Sequence, residues 1–160
     1  IHGRQVGNQE PAPEYFVRFG AVTPPLQVPR SGAATYSGRV FASGFVHGIG
    51  QTARVNGSMT ASMNFGNNQF SALLNLIASD PAGVAASRAL GEYLLTGSGG
   101  PNGFSGSRPG GPTYSYGFQG NFYGPAAAEL GGFFSMRRDG LTPGVWEDFV
   151  IAGAFIGKKD

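Results

Sequence analysis

Apolar and polar residues alternate through most of this chain, and glycine or proline usually stands where the alternation breaks. From Ser58 to Phe65, Met59, Ala61, Met63 and Phe65 fall on one side of an extended strand, and Ser58, Thr60, Ser62 and Asn64 fall on the other. A period of two is the mark of a sheet with one face in a core and the other in water. After the turn composition Gly66-Asn67-Asn68, the row Phe70, Ala72, Leu74 and Leu76 continues the buried side. Tyr114, Tyr116, Phe118 and Phe122 alternate with Ser115, Gln119 and Asn121 in the same way. Further strands are expected over Tyr36 to Val46, Glu92 to Thr96, Phe104 to Ser107, Phe133 to Arg138 and Asp148 to Ile156. Gly38 and Gly44 puncture the first of these, as suits a strand that bends sharply.

The breaks predict the connections. Asn56-Gly57 is a strong short hairpin signal and would join a strand over Gln51 to Val55 with the one that starts at Ser58. The stretches from Gly97 to Gly103 and from Pro109 to Pro112 are turns by composition. Asp80 is a helix cap, Pro81 suits a first helical position, and Ala82 to Leu90 are mostly good helix formers with Gly91 as a stop, so a short helical insertion is expected here. At Gly124-Pro125-Ala126-Ala127-Ala128-Glu129, proline and alanine predict one helical turn, and Gly131-Gly132 is expected to re-enter a strand through unusual dihedrals.

The two ends of the chain differ from the middle. Residues 1–33 hold five of the 11 prolines, which read as an extended N-terminal arm rather than a core element. Tyr15, Phe16, Val17 and Phe19 make part of that arm too apolar for a solvated tether, so it is expected to dock on its own domain or on a partner. The last strand is apolar on both faces, with Phe149, Ile151 and Phe155 one way and Val150, Ala152, Ala154 and Ile156 the other. One of those faces needs a cover, and the arm or a partner is the natural one.

Composition narrows the function. At 160 residues the chain fits one domain. Eleven basic and nine acidic residues are nearly balanced, and only Arg137-Arg138 and Lys158-Lys159 are basic doublets, so nucleic-acid binding has no clustered face to use. The absence of cysteine removes disulfides, thiolate metal sites and thiol nucleophiles. No window approaches the run of about 18 apolar residues that a membrane helix needs. Membrane association would therefore come through a partner or through a lipid anchor lost from the front, and Ile1 in place of Met favours a removed leader.

Catalytic and metal chemistry find little to work with. The chain has two histidines, His2 in the arm and His47 after the glycine-rich strand, without a serine elbow motif. Neighbouring Glu147 and Asp148 point to opposite sides of an extended strand, and no metal-ligand spacing is present. No catalytic residue and no metal site are expected. Binding chemistry is more promising. Phe41, Phe45 and His47, with Tyr36 on the opposite side of the same strand, set one potential haem ligand near aromatic rings. An ordinary hydrogen-bonded histidine at a strand end is the competing reading of His47. Tyr15, Phe16 and Phe19 of the arm complete the candidate ligand- or partner-binding set.

Three segments carry a family resemblance. Asn121-Phe122-Tyr123-Gly124-Pro125 followed by Glu129-Leu130-Gly131-Gly132-Phe133 resembles the signature of the β-barrel domain of transferrin-binding protein B and its relatives. Asn64-Phe65-Gly66-Asn67-Asn68 resembles the Gly-Asn-Asn hairpin of that family, and Ile151 to Lys159 its closing strand. The structural motif residues are then Asn67, Asn68, Tyr123, Gly124, Pro125, Glu129, Gly131 and Gly132. The resemblance implies an all-β fold, an eight-stranded antiparallel up-and-down barrel over residues 34–160, on a bacterial protein of the outer membrane surface, periplasm or secreted space. It implies a non-enzymatic binding module that captures a protein or a haem- or iron-type ligand, with no cofactor of its own unless haem is one. The alternative is a structural or accessory subunit that docks into a larger assembly through the arm and the barrel wall.

Overall fold

A computed structural model describes residues 20–109, 114–138 and 148–160. Eight strands follow one another: β1 (Ala33–Val46), β2 (Gly50–Asn64), β3 (Gln69–Ser79), β4 (Arg88–Gly100), β5 (Gly103–Arg108), β6 (Ser115–Tyr123), β7 (Glu129–Arg138) and β8 (Phe149–Lys159). Each pairs antiparallel with the next, and β8 returns to β1, with Tyr36 opposite Lys159 and Val46 opposite Phe149, to close the expected up-and-down barrel.

The alternation fills the interior. Met59, Ala61, Met63, Leu74, Leu76, Leu95, Ile151 and Phe155 all point inward and are buried. Burial of each large apolar side chain stabilises the fold by about 1.5–3 kcal/mol. Aromatic rings take the centre: Phe104 stacks on Phe70 with centroids 4.3 Å apart and reaches Phe122 at 5.2 Å and Phe155 at 6.0 Å. An eight-stranded barrel has room for side chains or for one small ligand. Here the rings take that room.

Glycines thin the wall where those rings press against it. A Cβ at Gly120 would lie 2.3 Å from Phe104 Cζ, and one at Gly132 would lie 2.5 Å from Phe155 Cζ. Space is therefore the reason for Gly132, rather than the unusual dihedral expected of the Gly131-Gly132 pair, since neither takes a left-handed φ.

The expected hairpin at Asn56-Gly57 does not form. Both residues lie inside β2, with Asn56 between Phe41 and Ile77 and Gly57 between Val40 and Leu76. Gly57 serves a close approach, because a Cβ there would sit 2.1 Å from the Asn75 carbonyl oxygen of β3. The β1–β2 turn falls at His47-Gly48-Ile49 instead. The Gly97 to Gly103 stretch is likewise mostly strand, and only Pro101-Asn102 turns.

The expected helix over Ala82 to Leu90 is also absent. Asp80 caps a loop: its Oδ1 accepts the Ala82 N–H at 2.9 Å, and its Oδ2 accepts those of Val84 at 3.0 Å and Ala85 at 2.9 Å. These three bonds hold its carboxyl below the usual range, the Ala85 bond most strongly. From Arg88 the chain pairs with β3, and a register shift near Leu90 is relieved by Gly91 at φ 100°. A helix this short is marginal by itself, and the ladder to β3 outweighs it.

At the predicted helical turn, Pro125–Ala127 form one 3-10 turn, yet Ala126 (φ 51°) and Ala127 (φ 58°) are left-handed and Glu129 already begins β7. Tertiary bonds impose this shape. The Tyr36 hydroxyl donates to the Ala127 carbonyl at 2.9 Å inside the barrel end, and the Lys159 N–H donates to Ala128 at 2.9 Å. Residues 20–32 close the same end. Val22 bridges Tyr123, the Thr23 N–H donates to Phe122 at 2.9 Å, its hydroxyl donates to Gly124 at 2.6 Å, and Val28 is buried.

Candidate functional site

Two tyrosines complete the wall where the backbone ladder runs short. β4 pairs with β5 only over Ser98–Gly100. Beyond that point the Tyr116 hydroxyl accepts the Thr96 N–H at 3.0 Å, and the Tyr114 hydroxyl donates to the Leu94 carbonyl at 2.9 Å. With the interior filled and the seam bridged, a ligand has the outer wall and the barrel ends to use.

Strand geometry separates the proposed haem set. Tyr36 points inward at one end of β1, is fully buried, and donates its hydroxyl to Ala127. Burial pushes its pKa up to about 12. His47 lies in the turn at the other end, where its N–H donates to the Asp148 carbonyl at 2.9 Å and its carbonyl accepts Arg88 Nη1 at 3.2 Å. Ten residues lie between the two, so eleven extended steps, about 36 Å, separate them. Tyr36 therefore stands too far from His47 to stack on a haem bound there. Among the described residues, no three side chains of His, Cys, Asp or Glu come together to hold a metal. Tyr15, Phe16, Phe19, His2 and Glu147 lie outside the described residues.

The motif residues have structural duties. Asn64 Oδ1 accepts the Gly66 N–H at 2.9 Å and Asn67 Oδ1 accepts the Gln69 N–H at 3.1 Å, while Asn68 takes φ 60°, so the expected turn forms. Gly124 at φ 72° lets the chain leave β6, and Glu129 stands exposed opposite Tyr123 and Lys158.

Phe41 and Phe45 do face one way, outward from β1. The sheet register places Phe41 in a row with Ala154 of β8, Asn56 of β2 and Ile77 of β3. The adjoining row runs Ile156, Arg39, Ser58, Asn75. Large apolar side chains are left in water along this wall: Phe41 is 41% exposed, Ile77 51%, Val150 53% and Ile156 55%. Between Phe41 and Ile77 the small residues of β2 leave a groove of about 730 Å³ above Gly57. Single exposed apolar residues are ordinary, whereas a ridge-and-groove set across adjacent strands is what a partner surface uses. Sequence reasoning missed Ile77, although it stands one residue past the buried row that ends at Leu76. The apolar second face of β8 was the visible signal.

Comparison with known proteins places this chain in a family. The family model for the C-lobe and N-lobe β-barrels of Tf-binding protein B matches residues 28–159. A solved structure of the vaccine antigen Transferrin Binding Protein B, a double mutant from Haemophilus parasuis Hp5, shares the fold with a TM-score of 0.59 at 22% identity over 88% of this chain. The chain spans 28% of the length of that protein. No curated protein sequence matches it.

Proposed function

The chain belongs to the family of C-lobe and N-lobe β-barrels of Tf-binding protein B, and on that premise we propose that it is a non-enzymatic binding module of the bacterial cell envelope or secreted space that captures a protein on its outer wall. The observation that carries this reading is the contrast between a barrel filled by its own aromatic rings and the water-exposed set of Phe41, Ile77 and Val150 outside it. A filled interior leaves a small ligand no chamber, and a row of apolar ridges beside a groove suits a protein surface, where buried anchors dominate affinity. The family name makes an iron-carrying transferrin the first partner to try.

Surface plasmon resonance of the full chain against iron-loaded transferrin tests the reading. Saturable binding is expected, weakened at least tenfold by Phe41→Asp and by Ile77→Lys, with far-UV circular dichroism unchanged. Binding that ignores both wall variants would remove the site. A haemin absorbance change that depends on His47 would move the function to a small ligand.

A further inference from the structure

Asparagine is followed directly by glycine twice in this chain, at Asn56-Gly57 and at Asn102-Gly103. In both pairs the asparagine is exposed and the glycine half-buried, so water reaches them alike. Such a pair can react with itself, because glycine has no side chain to hinder its own nitrogen. The glycine nitrogen gives up its proton to a base and attacks the asparagine Cγ. An N–Cγ bond forms, the Cγ–Nδ2 bond breaks, and ammonia leaves a five-membered succinimide. Water then opens the ring at Cγ to give aspartate, or at the main-chain carbonyl to give isoaspartate.

The barrel treats the two pairs in opposite ways. Gly57 lies between Val40 of β1 and Leu76 of β3. In a strand flanked on both sides each N–H is bonded to one neighbour or the other, so the Gly57 nitrogen can turn onto Asn56 only after a ladder opens. Opening the middle of a sheet costs nearly as much as unfolding. Asn102 instead stands in the two-residue turn Pro101-Asn102, and Gly103 pairs across it with Gly100 in the last rung of the β4–β5 ladder. The β5–β6 register begins one residue later, at Phe104 opposite Gly120. A turn tip of this kind opens locally at little cost.

We propose that Asn102 is a site of spontaneous deamidation in the folded protein, and that the barrel wall keeps Asn56 from the same reaction. The fold also holds the reactive glycine in place. Gly103 takes φ 117°, and a Cβ on it would collide with the Gly120 carbonyl oxygen and lie 2.6 Å from Asn121 Oδ1. No larger residue can stand after Asn102 without moving β6. The product puts a carboxylate on an outer groove of about 530 Å³ that Asn102 lines with Gln119 and Asn121. It lowers the formal net charge of +2 by one. In its isoaspartate form it also adds a methylene to the backbone of a two-residue hairpin loop.

Peptide mapping of the full chain after incubation in mildly alkaline buffer tests this. Trypsin separates the two pairs by cutting after Arg54, Arg88 and Arg137, since Pro109 shields Arg108. Each conversion adds about 1 Da to its fragment, and an isoaspartyl methyltransferase labels the isoaspartate fraction. In the native chain Asn102 is expected to convert at least tenfold faster than Asn56. In urea the two rates are expected to come within about threefold of each other, because no ladder remains. A native ratio below ten would overturn the proposal. So would a tenfold ratio that persists in urea, which would assign the difference to the neighbouring Val55 and Pro101 rather than to the wall. Neither readout involves a binding partner.

Discussion

On β3 the inward residues Phe70, Ala72, Leu74, Leu76 and Ala78 are each no more than 2% exposed, whereas Leu73 and Ile77, on the same strand but facing out, are 39% and 51% exposed. The same residue types thus serve two purposes one residue apart. Inside, every methyl group is held by rings and glycine-thinned walls, so shape decides stability. Outside, an apolar side chain contributes little to the fold, and its presence there is an argument about what it meets.

The sharpest test of that division is to remove a ring from the centre. Phe155→Ala is expected to cost about 3–5 kcal/mol, because its neighbours Phe104 and Phe134 are themselves held by the closed wall and cannot collapse into the gap. Urea denaturation of the variant against the native chain measures it. A cost under about 1 kcal/mol would mean that the interior is loosely filled.

Tyr36 probes the boundary between the two sides, being a polar group inside. Its hydroxyl is neutral and bonded in the folded state, with a pKa raised from 10.0 to about 12. The unfolded chain therefore loses that proton first. Stability from this group is full below pH 10 and falls as pH rises from 10 through about 12. Tyr36→Phe is expected to lose about 1 kcal/mol at neutral pH and to flatten that alkaline fall, as thermal midpoints between pH 9 and 12 would report.

Backbone strain at the exposed corner gives a smaller effect of opposite sign. Ala126 is exposed with φ 51°, and Ala126→Gly is expected to raise stability by up to about 1 kcal/mol, since glycine takes the left-handed region without penalty. The same substitution in a right-handed turn would lower stability, so the sign of the change checks the corner. Smallest of all is Ile77→Ser on the outer wall, expected within about 0.5 kcal/mol of the native chain by urea denaturation. A large loss there would erase the distinction between the two faces.

Much of this division was legible in the chain. The rows Met59 to Phe65 and Phe70 to Leu76 state which side is core, and the Tyr123-Gly124-Pro125 corner falls where the barrel needs it. Asn56-Gly57 misled because a local turn signal outweighed a pattern that runs unbroken through it: Ala53, Val55, Gly57, Met59 and Ala61 all face one way. Asp80-Pro81 misled for a related reason. Capping chemistry is real at Asp80, but a cap governs only how a segment starts, and a neighbouring strand can still claim the residues beyond it. The outer groove beside Ile77 depends on register between three strands, and the left-handed corner depends on a hydroxyl from Tyr36. Neither is a property of any short window. His47 and Tyr36 belong to one stretch of sequence, and the length of β1 is what parts them.

Closure of β8 onto β1 also sets an order of events. Pairing of Tyr36 with Lys159 joins residues far apart in sequence, and such contacts carry the loop-closure cost that slows folding. Until the last strand arrives, both partners carry bare hydrogen-bonding edges beside Phe41 and Ile156, the arrangement that invites pairing between chains. The β1–β8 seam is thus the place where a copy that failed to close would offer itself to a second chain.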